Sequence, residues 1–134
     1  LLSAPGTDRD SVVERAARVS KIIGSPAYPA DPDELKARAI EAFERSFYPV
    51  GTARQMVAAA SHGNRKPSLS KLGIPALVIH GQADPLVPVE GGIDTHEALR
   101  GSQLMLLDGM GHDLPRQLWP QIVAGIAQLT SRAH

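Results

Sequence analysis

The chain has 134 residues, enough for one domain, and its 43% hydrophobic and 21% charged content is that of an ordinary soluble globular chain. Fourteen basic and fourteen acidic side chains cancel, which removes any charge-driven case for a nucleic-acid or anionic-membrane partner. There is no cysteine, hence no disulfide framework and no thiolate metal site; this leans towards the cytoplasm without excluding export.

Leu1 to Thr7 read as apolar and then a Pro-Gly turn, the tail of a strand. The opening Leu1-Leu2-Ser3-Ala4, with no Met, is expected to be the interior of a longer protein, with any targeting segment upstream. Ser11-Val12-Val13-Glu14 is a capping-box pattern, with Val12, Ala16, Val19 and Ile23 following at helical spacing until Gly24. Ser25 to Ala30, with two prolines, reads as a linker.

Asp31 and Pro32 open a second helix as N-cap and first helical residue. Leu35, Ala39, Ile40, Phe43 and Phe47 form its apolar stripe, and Pro49-Val50-Gly51 is expected to stop it. A third, shorter helix is predicted over about Thr52 to Ala60, followed by a polar loop from Ser61 to Lys71 with His62 exposed in it.

Ala76-Leu77-Val78-Ile79, bounded by Pro75 and Gly81, is a continuous apolar run and reads as a strand of a parallel sheet covered on both faces. Asp84 lies just past its C-terminal end, the edge where ligands and catalytic groups gather in open α/β sheets. Asp84-Pro85 also reads as a plain turn. After room for one weak helix, near Gly91 to Leu99, comes a second strand, Ser102 to Asp108. It runs into Gly109-Met110-Gly111-His112-Asp113-Leu114-Pro115, where two glycines make the loop compliant. A β-α-β unit points both strand ends the same way, so Asp84 and His112 emerge on one edge. A carboxylate holding an imidazole is two-thirds of a Ser-His-Asp triad.

Pro120 suits the first turn of a last helix, in which Trp119, Ile122, Val123, Ile126 and Leu129 make a core-facing stripe beneath the His loop. His80 reads as a packed or hydrogen-bonded structural residue, and neither His96 nor His134 is given a role. The histidines lack metal-ligand spacing, so no metal and no cofactor are expected.

The pattern "IPALVIHGQADPLVP", a helix, then "LMLLDGMGHDLP" resembles the C-terminal part of an α/β-hydrolase, closest to the esterase and methylesterase-like members. The family's chain order is nucleophile, acid, His. The resemblance therefore implies Asp84 as triad acid and His112 as general base, with Asp108 a weaker rival for the acid and Asp113 a loop-stabilising residue. It also implies a division into 1–8, the end of a core strand and loop; 9–62, a helical cap segment; and 63–134, the C-terminal part of the core. Phe43, Phe47, Tyr48 and Met56 would then contact an acyl or alcohol group, against the simpler reading that they are packing residues of amphipathic helices.

None of the serines stands in a Gly-x-Ser-x-Gly turn, so the nucleophile of such an enzyme is missing from this stretch. The chain is expected to be a portion of a serine hydrolase cleaving small carboxylic esters, inactive alone and completed by an N-terminal half. Epoxide hydrolases, dehalogenases and haloperoxidase-like members share the Asp/His part. A non-enzymatic interaction module is the reading of a different class. Open apolar sheet edges further predict that an isolated copy is insoluble, intertwined with a second copy as a homo-oligomer, or covered by a partner.

Overall fold

The computed structural model describes residues 8–131; the expected strand tail at Leu1 to Thr7, and His134, lie outside the described residues. The architecture is α/β, and the described residues fall into two compact units. One comprises the stretch up to Ile22 together with Ala30–Arg65; the other comprises Ile23–Pro29 and Lys66 onward.

The first unit is helical. α1 (Arg9–Ile23) begins one turn earlier than its capping-box pattern suggests. The Asp8 carboxylate accepts the Ser11 backbone N–H at 2.9 Å and the Ser11 hydroxyl at 2.6 Å. The reason is physical: Asp8-x-x-Ser11 overlaps Ser11-x-x-Glu14, and an ionised acceptor is favoured at the positive end of a helix. The stripe is rotated accordingly. Val13 is the buried residue of α1, while Ala16 is exposed.

α2 (Pro32–Arg45) follows its expected start, with Asp31 accepting from the N–H groups of Asp33 and Glu34 at 2.7 and 3.3 Å. It ends at Ser46, short of the expected stop. Pro49 instead occupies the first position of α3 (Pro49–Ser61), where its missing N–H costs nothing. Phe47 thus lies beyond α2, its ring 4.8 Å from that of Phe43. Arg9 pairs with Glu44 at 2.9 Å, which ties α1 to α2, and this bond raises the Arg9 pKa.

The second unit carries the sheet. The segment expected as a polar loop contains a short helix, α4 (Lys66–Leu69). β1 (Leu77–Gly81) leads through α5 (Val89–Ala98) to β2 (Gln103–Leu107). The strands pair in parallel, from Leu77 opposite Gln103 to Gly81 opposite Leu107, so both chain directions leave the sheet at the same edge. Among the described residues the sheet has these two strands. Leu107, Met110, Leu118 and Ile122 form the buried cluster, with Tyr28, Ile79 and Met105 packed against it.

Two burial expectations fail together. Residues 77–80 and 103–106 are half-buried rather than covered on both faces. In α6 (Trp119–Ser131) only Ile122 of the predicted stripe is buried, while Trp119, Val123 and Ile126 are exposed. α6 meets the sheet at Gly125, where an added Cβ would run into the Met105 side chain. Two strands about 5 Å apart give footing to only part of a helix roughly 10 Å across.

No helix among the described residues is long and apolar enough to cross a membrane.

Candidate active site

Each strand of the second unit hands over to a loop at the same sheet edge. The β1 loop closes on Asp84 as an Asx turn: Asp84 Oδ1 accepts the N–H groups of Leu86 and Val87 at 2.8 and 2.9 Å. His80 braces this loop from behind. Its Nε2–H donates to the Val87 carbonyl at 3.0 Å, and its ring lies against Gly92 of α5, where a Cβ would come within 2.8 Å. His80 is therefore the structural histidine expected.

The other carboxylate oxygen, Asp84 Oδ2, lies 2.7 Å from His112 Nδ1. Residues 28 apart in sequence meet because the parallel register puts both loops on one edge. The Asp84 side chain is only 5% exposed, whereas that of His112 is 41% exposed. Burial pushes the Asp84 carboxyl up. Hydrogen bonds from the Val87 N–H, the His112 ring and the Leu86 N–H outweigh it and hold its pKa below the ordinary value. The group is thus an anion at neutral pH. An anionic carboxylate can only accept, so Nδ1 carries a proton, and in the neutral form of the ring the lone pair is then on Nε2. A held, reachable imidazole of this tautomer can take up a proton.

The base loop is shaped by close approach. Gly109 adopts φ +66°, a left-handed conformation that glycine tolerates best. A Cβ on Gly111 would strike the Gly24 carbonyl. The two loops enclose a depression of about 260 Å³ with Asp84 and His112 in its wall and Ile79, Val87, Met110 and Leu114 as apolar lining.

The remaining sequence candidates are distributed differently. Asp108 is exposed, and the His112 ring is bonded to Asp84. Asp113 accepts a hydrogen bond from Ser25 Oγ, as a loop-stabilising residue would. Phe43, Phe47, Tyr48 and Met56 belong to the first unit, the last three exposed. Ser25 was missed by the sequence reading. It is 3% exposed and accepts the Gly111 N–H at 2.9 Å. Between Gly24 and Pro26 it has the look of any turn serine, and no periodicity marks it.

Parallel strands joined through a helix, with a carboxylate after the first strand bonded to an imidazole after the second, fit the core of an α/β-hydrolase. A model of the TAP-like protein family matches residues 41–117, more than half of the chain. The chain belongs to this family of α/β-hydrolases. Among solved structures it is similar to a serine hydrolase involved in carbazole degradation, the CarC enzyme, with a TM-score of 0.64 at 17% identity over 98% of this chain and 50% of that one. It is also similar to the esterase RhEst1 from Rhodococcus sp. ECU1013, with a TM-score of 0.62 at 21% identity over 98% of this chain and 46% of that one. At such identities the likeness shows the fold. The chain spans about half the length of each. No curated protein matches it.

Proposed function

We propose that this chain supplies the acid and the general base of a Ser-His-Asp triad that hydrolyses small carboxylic esters. The observation that carries the reading is the 2.7 Å bond between Asp84 Oδ2 and His112 Nδ1. The nucleophile and the oxyanion hole come from the rest of the complete protein, since no Gly-x-Ser-x-Gly occurs in these 134 residues.

In this reading His112 Nε2 takes the proton of the serine hydroxyl as its oxygen bonds to the ester carbonyl carbon. The imidazolium, stabilised by Asp84, returns that proton to the departing alkoxide as the ester C–O bond breaks. A water, deprotonated by the same nitrogen, then cleaves the acyl-enzyme and regenerates the serine. The apolar lining of Val87, Met110 and Leu114 suits an uncharged acyl or alcohol group. Residues 9–62 are assigned as the cap, with Phe43, Phe47, Tyr48 and Met56 contacting the substrate.

A fluorophosphonate that labels activated serines tests the reading. The complete protein should label rapidly and the His112→Ala variant slower by orders of magnitude. Equal labelling of both would refute His112 as the base.

A further inference from the structure

Three consecutive residues of the base loop are bonded to one segment upstream. The Gly111 N–H donates to Ser25 Oγ at 2.9 Å, the His112 N–H donates to the Ile23 carbonyl at 2.7 Å, and the Asp113 carboxylate accepts the Ser25 hydroxyl proton. A fourth bond, from the Ala27 N–H to the Gly109 carbonyl at 3.3 Å, closes the other end. All of these groups lie within the second unit.

A hydroxyl has one proton to give and lone pairs to receive with. Ser25 uses both functions, at 3% exposure, on the residues immediately before and after His112. The base loop has little stiffness of its own, because Gly109 and Gly111 flank Met110 ahead of the histidine. Its conformation must be imposed from outside. The Ile23–Ser25 segment approaches closely enough to do so, with the Gly24 carbonyl where a Gly111 side chain would stand.

The geometry points to Ser25 and Asp113 as positioning residues for the proposed reaction: the buried Ser25 hydroxyl, bridging Gly111 and Asp113, holds His112 in register with Asp84. This rests on the reading of His112 as the base. The Ser25 hydroxyl is bonded to Gly111 and Asp113 and not to the imidazole, so it acts by fixing the backbone from which the imidazole projects. Misplacing a catalytic group by about 1 Å costs on the order of a hundredfold in rate.

The test uses the complete protein, with Ser25→Ala, Ser25→Thr, Asp113→Ala and His112→Ala compared below their melting temperatures. Ester turnover is read together with the downfield proton resonance of His112 Nδ1–H. In Ser25→Ala and Asp113→Ala, kcat should fall on the order of a hundredfold with KM little changed, and the resonance should broaden or vanish. Ser25→Thr, which keeps the hydroxyl, should recover both. Asp113 is less buried than Ser25, so Asp113→Ala decides the matter if Ser25→Ala does not fold. Turnover near that of the unaltered enzyme in both alanine variants, or lost turnover with the resonance intact, would overturn the clamp. Full turnover in His112→Ala would instead defeat the reading on which it rests.

Discussion

Ala83 and Met110 tie the acid loop to the base loop: the Ala83 N–H donates to the Met110 carbonyl at 3.0 Å. Asp84 is the next residue after one end of that bond, and His112 stands two residues after the other. The approach is possible because Gly81, at the end of β1, has no side chain; a Cβ there would collide with the carbonyl oxygens of Met110 and Gly111. Gly81→Ala should therefore force the two loops apart. The expected loss is about 1–3 kcal/mol of stability, seen as a lowered melting temperature, together with lost turnover. Gly73→Ala is the control, since nothing lies within 4 Å of its added carbon, and it should change stability by no more than about 0.5 kcal/mol.

Acid sensitivity follows from Asp84. Its folded-state pKa is depressed, so between that value and the unfolded-chain value the unfolded state binds the extra proton. The carboxylate's contribution is complete above the unfolded-chain pKa and is lost as pH falls through the folded one. Melting temperature measured against pH in the acid range should fall less steeply for Asp84→Asn than for the unaltered protein. Parallel curves would show that the Asx turn and the imidazole do not stabilise the anion.

Tyr48 and Met56, 57% and 59% exposed, separate a substrate-binding role from a packing role. Truncating such exposed side chains to Ala should cost little stability, within about 0.5 kcal/mol. If they contact the substrate, KM for longer acyl or alkyl esters should rise several-fold in Met56→Ala. An unchanged KM across a chain-length series would return Met56 to ordinary helix surface, and the same series with Tyr48→Ala decides for Tyr48.

The exposed apolar side chains Trp119, Val123 and Ile126 of α6, and a sheet of two strands among the described residues, are an association hazard. The 134-residue chain made alone should precipitate or sediment as an oligomer. Supplying the nucleophile-bearing part proposed above should return it to a single defined species. A well-behaved monomer in sedimentation would show that these surfaces need no cover.

What was legible in the sequence was whatever local chemistry decides. The unbroken apolar runs around Leu77–Ile79 and Leu104–Leu107 gave both strands to within a residue or two. The parallel crossover they imply is enough to place Asp84 and His112 on one edge of the sheet. Asp31 and Pro32 fixed the start of α2 because cap and first-turn preferences are local. The misses occur where two signals compete or where the partner is distant. Asp8 outbid Ser11 for the same cap. Pro49 could stop one helix or start another, and the closeness of the two helices hid which. Ser25 acts on residues 86 and 88 positions away, so no window around it could reveal the contact. The α6 stripe is apolar in sequence, but only Ile122 of it is buried, because how much of it is covered depends on the width of the sheet.

The most direct test of the central claim is ester turnover by the complete protein with Asp84→Asn and, separately, Asp108→Asn. Removing the acid that orients the imidazole costs on the order of ten-thousand-fold in kcat at sites of this kind, so Asp84→Asn should fall by about that factor. Asp108→Asn, altering an exposed carboxylate, should stay within a few-fold of the unaltered enzyme. Undiminished turnover in Asp84→Asn would contradict the account.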